Sequence, residues 1–267
     1  MDASAASSEP SDPYLWTVED YHRLIKARLI GVNESVELVA GRIVRQAGID
    51  SADHQAVVQR LRLVLQRRLS GQGVVRSQEP VLLGSHSELK PDIAVVSGAA
   101  TRYQDHIPNP VEIALVIEVA EGSLAFDCYL KAAEYAEAGI PDYWVFDLRR
   151  QQLHVFRDIL SGSYCQRSVL DVGESIQPLM LTELTAKLCP PRRQLFMTRR
   201  FTGQRYHYMP SSTLAIMFQA AGGQSGLISN FKAIPQPKAV VSPLDITPDD
   251  LKSMSIRPPW TTALQHH

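Results

Sequence analysis

The spacing of apolar residues predicts three elements in the first seventy residues of the chain. TVEDYHRLIKA carries apolar side chains at helical spacing behind a capping threonine, which predicts a short amphipathic helix. VELVAGRIVRQAG has β-branched runs on both sides of Ala40–Gly41, a pattern typical of a β-hairpin. SADHQAVVQRLRLVLQRRLSG has an apolar stripe that stops at a glycine, which predicts a longer helix.

Two short apolar runs in the middle of the chain predict buried strands. DIAVVSG follows the turn residues GSHSELKP, and EIALVIEVA is apolar almost throughout, as is typical of a strand covered on both faces. The pattern then becomes helical from Phe126 to Ala138 and ends near a glycine and a proline. YWVFDL and LHVFR flank four polar residues and predict another hairpin.

The remaining segments divide the chain into a tail, a folded domain and an extension. SYCQRSVL and GESIQP predict a last strand and its turn, and LTELTAKLCPPRR predicts a short closing helix. Residues 1–13 are rich in serine, alanine and proline, which predicts a disordered tail. Residues 193–267 lack sustained periodicity, so we expect an irregular extension after a domain that spans residues 14–192.

Composition and charge restrict the class of protein. The chain has 267 residues, 45% of them hydrophobic, with 27 basic and 28 acidic residues and a formal net charge of -1. This balance does not favour a strongly polyanion-binding chain, so any nucleic-acid contact has to come from a local patch. The chain has three widely spaced cysteines without a CxxC pair, no signal-peptide pattern and no apolar run of about 18 residues. These features favour a cytoplasmic protein without a membrane span.

Two carboxylates belong to the predicted buried strands. Glu118 lies within EIALVIEVA, where a buried carboxylate costs several kcal/mol unless a cation, a partner or solvent compensates it. Asp92 opens the other strand, and neighbouring strands can bring two such side chains to roughly 5 Å. Hard oxygen ligands of this kind suit Mg²⁺ or Mn²⁺, which favours hydrolytic phosphoryl chemistry.

Each of these residues also has an ordinary structural interpretation. An aspartate after a proline at a strand start is typical of turn chemistry, and a glutamate in a strand often forms a salt bridge at the strand end. Lys131 stands four residues after Asp127, a spacing that gives a common helix pair worth only about 0.2–0.5 kcal/mol. The combination is therefore more informative than any one residue.

The ordered set of motifs resembles one known family. KPDIAVVSG and EIALVIEVAEGSLAFDCYLKAAEYAEAGIPDYWVFDL, together with VELVAGRIV and DHQAVV upstream, resemble the Uma2 family, also called DUF820. The resemblance extends from about Thr17 to Leu188. This family belongs to the PD-(D/E)XK restriction-endonuclease-like superfamily, and the resemblance implies an α/β (α+β) fold. We expect a central mixed β-sheet flanked by helices and preceded by a helix and a β-hairpin.

The resemblance also implies roles for single residues. Asp92 matches the aspartate of the superfamily's PD motif, and Glu118 matches the acidic residue of its second motif. Glu37, on the early hairpin, matches an upstream glutamate that would complete the metal shell. The superfamily expects a lysine two residues after the second acid, where this chain has Ala120. Lys131 matches a lysine relocated to the following helix, so its amine should lie within a few ångströms of the two carboxylates.

Further residues are candidates for supporting roles. Asp127, one helical turn before Lys131, is placed to hold the ammonium group, and His54 at the start of the long helix is either a second site residue or an ordinary cap. We expect Tyr135 and Trp144 to belong to the core. Two basic clusters offer contacts to phosphates. The first consists of Arg60, Arg62, Arg67 and Arg68, of which Arg60, Arg67 and Arg68 are the candidates for nucleic-acid contact, and the second of Arg192, Arg193, Arg199 and Arg200.

These features support a Mg²⁺- or Mn²⁺-dependent endonuclease that cuts DNA phosphodiesters. The departure at Ala120 and the neutral charge balance leave open an inactive nuclease fold kept as a DNA-binding or protein-interaction module. Action on RNA or branched DNA is a third possibility. Symmetric cutting of both strands would call for two sites, which makes a homodimer plausible.

Overall fold

The computed structural model of the chain describes residues 13–31, 34–45, 51–69, 73–181, 184–189, 194–197, 206–209 and 215–220. The helices are α1 (Val18–Lys26), α2 (Ala52–Arg68) and α3 (Ala132–Glu137), the last preceded by a π-helical segment, Phe126–Lys131. The strands are β1 (Val36–Val39), β2 (Arg42–Arg45), β3 (Val74–Arg76), β4 (Val81–Leu82), β5 (Glu88–Leu89), β6 (Ile93–Val96), β7 (Ile113–Ala120), β8 (Tyr143–Asp147), β9 (Gln152–Leu160), β10 (Ser163–Leu170), β11 (Ser175–Ile176), β12 (Leu184–Cys189), β13 (Gln194–Met197), β14 (Tyr206–Met209) and β15 (Ala215–Ala220).

A mixed six-stranded sheet forms the centre of the fold, as the sequence predicts. Its order is β10-β9-β8-β7-β6-β3, and only β7 and β8 run parallel. The other neighbours pair antiparallel. The π-helical segment and α3 make the crossover between β7 and β8 that a parallel pair requires.

The central sheet is covered on both faces, because alternate residues of its strands point to opposite sides. On one face, Ile117 and Trp144 belong to an apolar cluster with Leu61 and Leu65 of α2. On the other face, Val116 and Tyr143 pack with α3 and with residues of a second sheet. The near-continuous apolar sequence of β7 follows from this double burial.

The second sheet has four strands in the order β2-β1-β5-β4 and carries the predicted hairpin. Ala40 and Gly41 both have positive φ, at 48° and 72°, as the tight two-residue turn requires. A Cβ at Gly41 would lie 2.7 Å from the Cβ of Leu15, so a larger residue at this position clashes with the chain that enters α1. The helix α1 begins at a capping box in which Thr17 and Asp20 exchange hydrogen bonds.

The C-terminal part of the domain corrects one prediction. LTELTAKLCPPRR was expected to form a helix, but Leu184–Cys189 is the strand β12, which pairs with β15 and β11. Leu184, Ala186 and Leu188 are buried against the α2 side of the central sheet, a period of two that belongs to a strand. The turn segment GSHSELKP likewise contains a short strand, β5.

The structure describes part of the segment that was expected to be irregular. Three strands lie within it, of which β13 and β14 pair with each other and β15 pairs with β12. The tail over residues 1–12, residues 221–267, and Arg192, Arg193, Arg199 and Arg200 lie outside the described residues. None of the helices in the part of the chain that the structure describes has the length and apolarity needed to cross a bilayer.

Candidate active site

The register of β6 and β7 brings the two predicted carboxylates together. Ile93 lies opposite Ile117, so Asp92, one residue before β6, comes next to Glu118, one residue further along β7. The backbone N–H of Asp92 donates to Oε2 of Glu118 at 3.3 Å. Both side chains are buried. Two adjacent strands therefore place this pair at one end of the central sheet.

Glu118 is surrounded by donors from the crossover helix. Lys131 Nζ donates to Glu118 Oε1 at 2.8 Å and to Glu37 Oε1 of β1 at 3.1 Å. The hydroxyl of Tyr135 donates to the same Glu118 oxygen at 3.0 Å. All four side chains are buried. The amine of Lys131 thus joins the carboxylate of the central sheet to that of the hairpin sheet.

The π-helical geometry of Phe126–Lys131 orients two charged residues toward the same place. Asp127 and Lys131 are both buried, and their carboxylate and amine lie 4.0 Å apart. Ser123 donates its hydroxyl to Oδ2 of Asp127 at 2.6 Å, which fixes the carboxylate from the preceding loop. Single turns of π-helix occur frequently at functional sites, because they change the direction of side chains within an otherwise α-helical segment.

Asp92 has its own set of donors. The N–H of Val119 donates to Oδ2 of Asp92 at 2.9 Å, and Nε2 of His54 lies 3.0 Å from the same oxygen. The side-chain amide of Gln78 donates to the other oxygen, Oδ1, at 3.3 Å. Gln78 has φ of 55°, a left-handed conformation that non-glycine residues rarely adopt and that recurs at functional sites.

Burial and mutual repulsion shift the ionisation of the acidic residues. Burial raises the pKa of Glu118 well above its ordinary value, with Lys131 opposing the shift and Asp92 adding to it. Burial also raises the pKa of Asp127 to about 6 against the effect of Lys131 and Ser123. For Lys131, burial alone would lower the pKa, but Glu118, Glu37 and Asp127 together raise it well above its usual range. The three carboxylates therefore favour the ammonium form of Lys131.

His54 joins the site from the start of α2. Burial favours its neutral form, but the hydrogen bond and the charge of Asp92 overcome this and raise the pKa of His54 above its ordinary value. Ser51 caps the helix by accepting from the N–H of His54 at 3.0 Å, and its hydroxyl also donates to Glu121. The helix start is thus tied to the loop that follows β7.

A cleft opens onto this cluster. Its lining combines acidic, basic and apolar side chains from the hairpin, α2, the central sheet and the crossover helix: Glu37, Val44, Arg45, His54, Asp92, Glu118, Val119, Ser123, Phe126, Asp127 and Lys131. Four carboxylates in one cleft make an all-oxygen donor set of the kind that Mg²⁺ and Mn²⁺ prefer. In chemical terms the residues fit a hard divalent cation. In the geometry shown, no three acidic, histidine or cysteine side chains of the described residues converge as a ready-made cage.

The structure gathers most of the sequence-predicted residues but not all of them. Asp92, Glu118, Glu37, Lys131, Asp127 and His54 line one cleft. Arg60, Arg67 and Arg68 are exposed on α2. Since α2 rises about 1.5 Å per residue, Arg67 lies roughly 20 Å along the helix from His54. Contact of these three arginines with nucleic acid stays a prediction.

Sequence reasoning missed three contributors to the site. Tyr135 was assigned to the core, and although it is fully buried, its hydroxyl also binds Glu118. Its position four residues after Lys131, on the same helix face, was a usable signal. Gln78 carried no signal, because neither its left-handed backbone nor its approach to Asp92 can be read from local sequence. Arg45 ends the hairpin strand that contacts the cleft.

A mixed sheet that holds paired carboxylates beside a buried lysine is the arrangement expected of a restriction-endonuclease-like fold. The family model of Uma2, with the description "Putative restriction endonuclease", matches residues 18–189, and the chain belongs to this family. A solved structure from Anabaena variabilis, described as a "putative nuclease belonging to DUF820", is similar with a TM-score of 0.48 and 15% identity. The similarity covers 62% of this chain and 89% of that one. A search of curated proteins gave no match.

Proposed function

We propose that the chain is a metal-dependent endonuclease that hydrolyses DNA phosphodiester bonds in this cleft. The observation that supports the proposal most strongly is the buried amine of Lys131. It donates to Glu118 of β7 at 2.8 Å and to Glu37 of β1 at 3.1 Å, while the lysine itself comes from the crossover helix. Burying an ammonium among four carboxylates costs free energy that a purely structural core would avoid with apolar residues. Such perturbed clusters in a cleft are characteristic of functional sites.

Asp92 and Glu118, with Glu37, would hold a Mg²⁺ or Mn²⁺ ion. When bound, the ion supplies Lewis-acid polarisation of a phosphoryl oxygen and lowers the pKa of a coordinated water. Within the protein, Val119 N–H, His54 and Gln78 keep the Asp92 carboxylate oriented. Tyr135 and the N–H of Asp92 do the same for Glu118.

Lys131 would act as a fixed positive charge next to the reacting phosphate. Because Glu118, Glu37 and Asp127 raise the pKa of Lys131, it stays protonated and serves as a hydrogen-bond donor and electrostatic stabiliser. A negative charge that grows on the phosphate oxygens in the transition state is attracted to such an ammonium. Asp127, 4.0 Å away, keeps the amine in place, and Ser123 keeps Asp127 in place.

A second candidate function is a nuclease fold that binds DNA or protein without turnover. Glu118 already receives three hydrogen bonds, from Lys131, Tyr135 and the backbone of Asp92, which is how a purely structural buried carboxylate is satisfied. Ala120 also stands where the superfamily has its lysine. Both observations are compatible with a nuclease fold that has lost catalytic activity.

The full chain, incubated with plasmid, linear duplex, single-stranded DNA and RNA in Mg²⁺, Mn²⁺ or EDTA, distinguishes these functions. We expect nicking or cutting of DNA with either ion and none in EDTA, and no cutting by Asp92→Asn. Retained DNA binding with no cleavage by wild type in either ion would support the binding module instead. Cutting confined to RNA would contradict DNA as the substrate.

Four broader features complete the proposal. The setting is the cytoplasm, where Cys128 and Cys165, both unpaired in the structure, would remain reduced. The partner is DNA. A homodimer would present two clefts and allow both strands of a duplex to be cut. The boundaries of the nuclease domain at residues 14–192 remain part of this proposal.

A further inference from the structure

The interior of the cleft carries more acidic than basic side chains, so an approaching phosphate needs positive charge at the mouth. Of the residues that line it, Glu37, Asp92, Glu118 and Asp127 are acidic, and Lys131 is held among them. A phosphodiester that approaches this cleft meets a surplus of carboxylates before it reaches the lysine. Residues at the mouth that attract phosphate would overcome this repulsion.

Arg45 is a cation that lines the cleft from the solvent side. It is the last residue of β2, and its neighbour Val44 also lines the cleft. Its side chain is 81% exposed, and its guanidinium lies 3.5 Å from the carboxylate of Glu34. A surface ion pair of this kind contributes little to stability. An exposed guanidinium held at the end of a strand and weakly paired is available to an anion.

Arg149 approaches the other loop of the site. It is exposed and follows β8, whose neighbour β7 carries Glu118. A Cβ built on Gly122 would lie 3.6 Å from Nη2 of Arg149, so the guanidinium lies directly over the loop that connects Glu121 to Ser123. Within the described part of the chain, its side chain forms no ion pair. The next residue differs, since Arg150 pairs with Asp147 at 3.1 Å.

Both arginines are anchored by rigid backbone. Arg45 is in register with Val36 in the hairpin, and the N–H of Arg149 donates to Oδ1 of Asp147 at 2.9 Å in the turn after β8. Two guanidinium groups on separate elements, one lining the cleft and one over the adjoining loop, can each bind a backbone phosphate. Arg67, near the end of α2, lacks this placement, since it lies roughly 20 Å along the helix from His54.

We propose that Arg45 and Arg149 form a phosphate-contact site at the mouth of the cleft, and that its ligand is the backbone of DNA. This rests on the proposed function, because the contact would deliver the scissile phosphate to Lys131 and the carboxylates. The contact is with phosphates and not with base edges, so it provides affinity and register without sequence preference.

The test is DNA binding by the full chain in Ca²⁺, measured by fluorescence anisotropy at several salt concentrations. The variants are Arg45→Gln, Arg149→Gln and Arg23→Gln, which remove the same charge from exposed positions, and Arg45→Lys, which keeps it. Arg23 lies on α1, does not line the cleft and pairs at the surface with Glu19 and Asp20. We expect Arg45→Gln and Arg149→Gln each to weaken binding by about tenfold and to lower the slope of log K against log salt by about 1. Arg23→Gln should bind like wild type, and Arg45→Lys should retain the slope.

Several outcomes would overturn the phosphate-contact site. They are an unchanged affinity in both Arg45→Gln and Arg149→Gln, an equal loss in Arg23→Gln, which would reflect net charge alone, and an absence of DNA binding by wild type. Equal melting temperatures of all four variants exclude misfolding as the cause. Cleavage in Mg²⁺ is scored separately. If the two variants lose affinity but wild type does not cut DNA, the proposed function fails and the phosphate-contact site stands. If wild type cuts DNA and the two variants bind it normally, the phosphate-contact site fails and the proposed function stands.

Discussion

Lys131 and Glu118 are thirteen residues apart in the sequence and form a buried ion pair, with Nζ of the lysine 2.8 Å from Oε1 of the glutamate. The lysine comes from the crossover helix and the glutamate from the strand that precedes it. The same amine also reaches Glu37 of the hairpin. The carboxylate of Glu118 is thus met by a lysine from the crossover helix, while the residue two positions after Glu118 is Ala120.

Tyr135→Phe should separate the structural role of Tyr135 from its role in the site. The change keeps the ring and removes the hydroxyl that bonds Glu118 at 3.0 Å. We expect a loss of about 1–3 kcal/mol in the free energy of unfolding, together with a fall in the cleavage rate, because Glu118 loses a fixed donor.

The matched control is Tyr164→Phe. Its hydroxyl donates to the carbonyl of Ile140 at 2.7 Å, far along the chain from the acidic residues. It should lose a similar or smaller amount of stability and keep the wild-type cleavage rate. Urea denaturation and single-turnover cleavage measure both quantities. An equal fall in rate for the two variants would show that Tyr135 acts only through stability.

The pH dependence of stability should report on Asp127. Burial raises the pKa of Asp127 to about 6 in the folded chain, against an ordinary value of 3.8. A carboxyl with a raised folded pKa contributes stability below about pH 4 and loses it as the pH rises through 6. Asp127→Asn mimics the protonated form and keeps an acceptor for Ser123. In EDTA, the variant should therefore gain up to about 3 kcal/mol relative to wild type between pH 4 and pH 7.

Chemical denaturation across that pH range measures the difference. Ser123→Ala serves as the control for the local hydrogen bond, since it keeps the ionisable group at Asp127. Its free-energy difference from wild type should change much less over the same range. A flat difference for Asp127→Asn would mean that the carboxyl ionises normally in the folded chain.

Gln78→Gly should relieve backbone strain at this position and remove a hydrogen bond to Asp92. The left-handed φ of 55° at Gln78 costs a side chain of this kind roughly 1 kcal/mol, and glycine adopts it without strain. The variant also loses the amide that donates to Asp92 at 3.3 Å. We expect a thermal midpoint at or above that of wild type and a several-fold weaker apparent affinity for the activating cation, from titration of the cleavage rate.

Gln78→Asn provides the comparison, because asparagine tolerates this backbone conformation and keeps an amide on a shorter side chain. An intermediate cation affinity would agree with an orienting role for the amide. Equal affinities in wild type, Gln78→Asn and Gln78→Gly would show that Asp92 does not depend on position 78.

Periodicity was sufficient for the elements whose apolar pattern has one interpretation. The stripe of α2 and the continuous apolar run of β7 each predicted the correct element. LTELTAKLC was ambiguous, since its leucines fit helical spacing while Leu184, Ala186 and Leu188 also alternate. Pairing with β15 and packing against the α2 side selected the strand, and both contacts are made with residues distant in sequence.

The site shows a similar division. Asp92, Glu118 and Lys131 could be selected because charged residues within apolar elements require partners, and the motif order supplied Glu37. Gln78 and the π-helical turn before Lys131 depend on backbone conformation set by the folded chain, which short-range sequence signals do not encode. Arg45 and Arg149 could not be selected from the sequence, because only the folded structure distinguishes them from other exposed arginines by their position beside the cleft.

The role of the Lys131 amine in cleavage is tested most directly by the single-turnover rate of Lys131→Met beside wild type in saturating Mg²⁺. Removing the ammonium also leaves buried carboxylates unpaired, which costs about 3–5 kcal/mol of stability, so the assay temperature must lie well below the variant's thermal midpoint. Circular dichroism on the same sample verifies that the variant is folded. We expect a loss of about 100-fold or more in rate with DNA binding retained. A folded variant that cuts DNA within about threefold of the wild-type rate would contradict it.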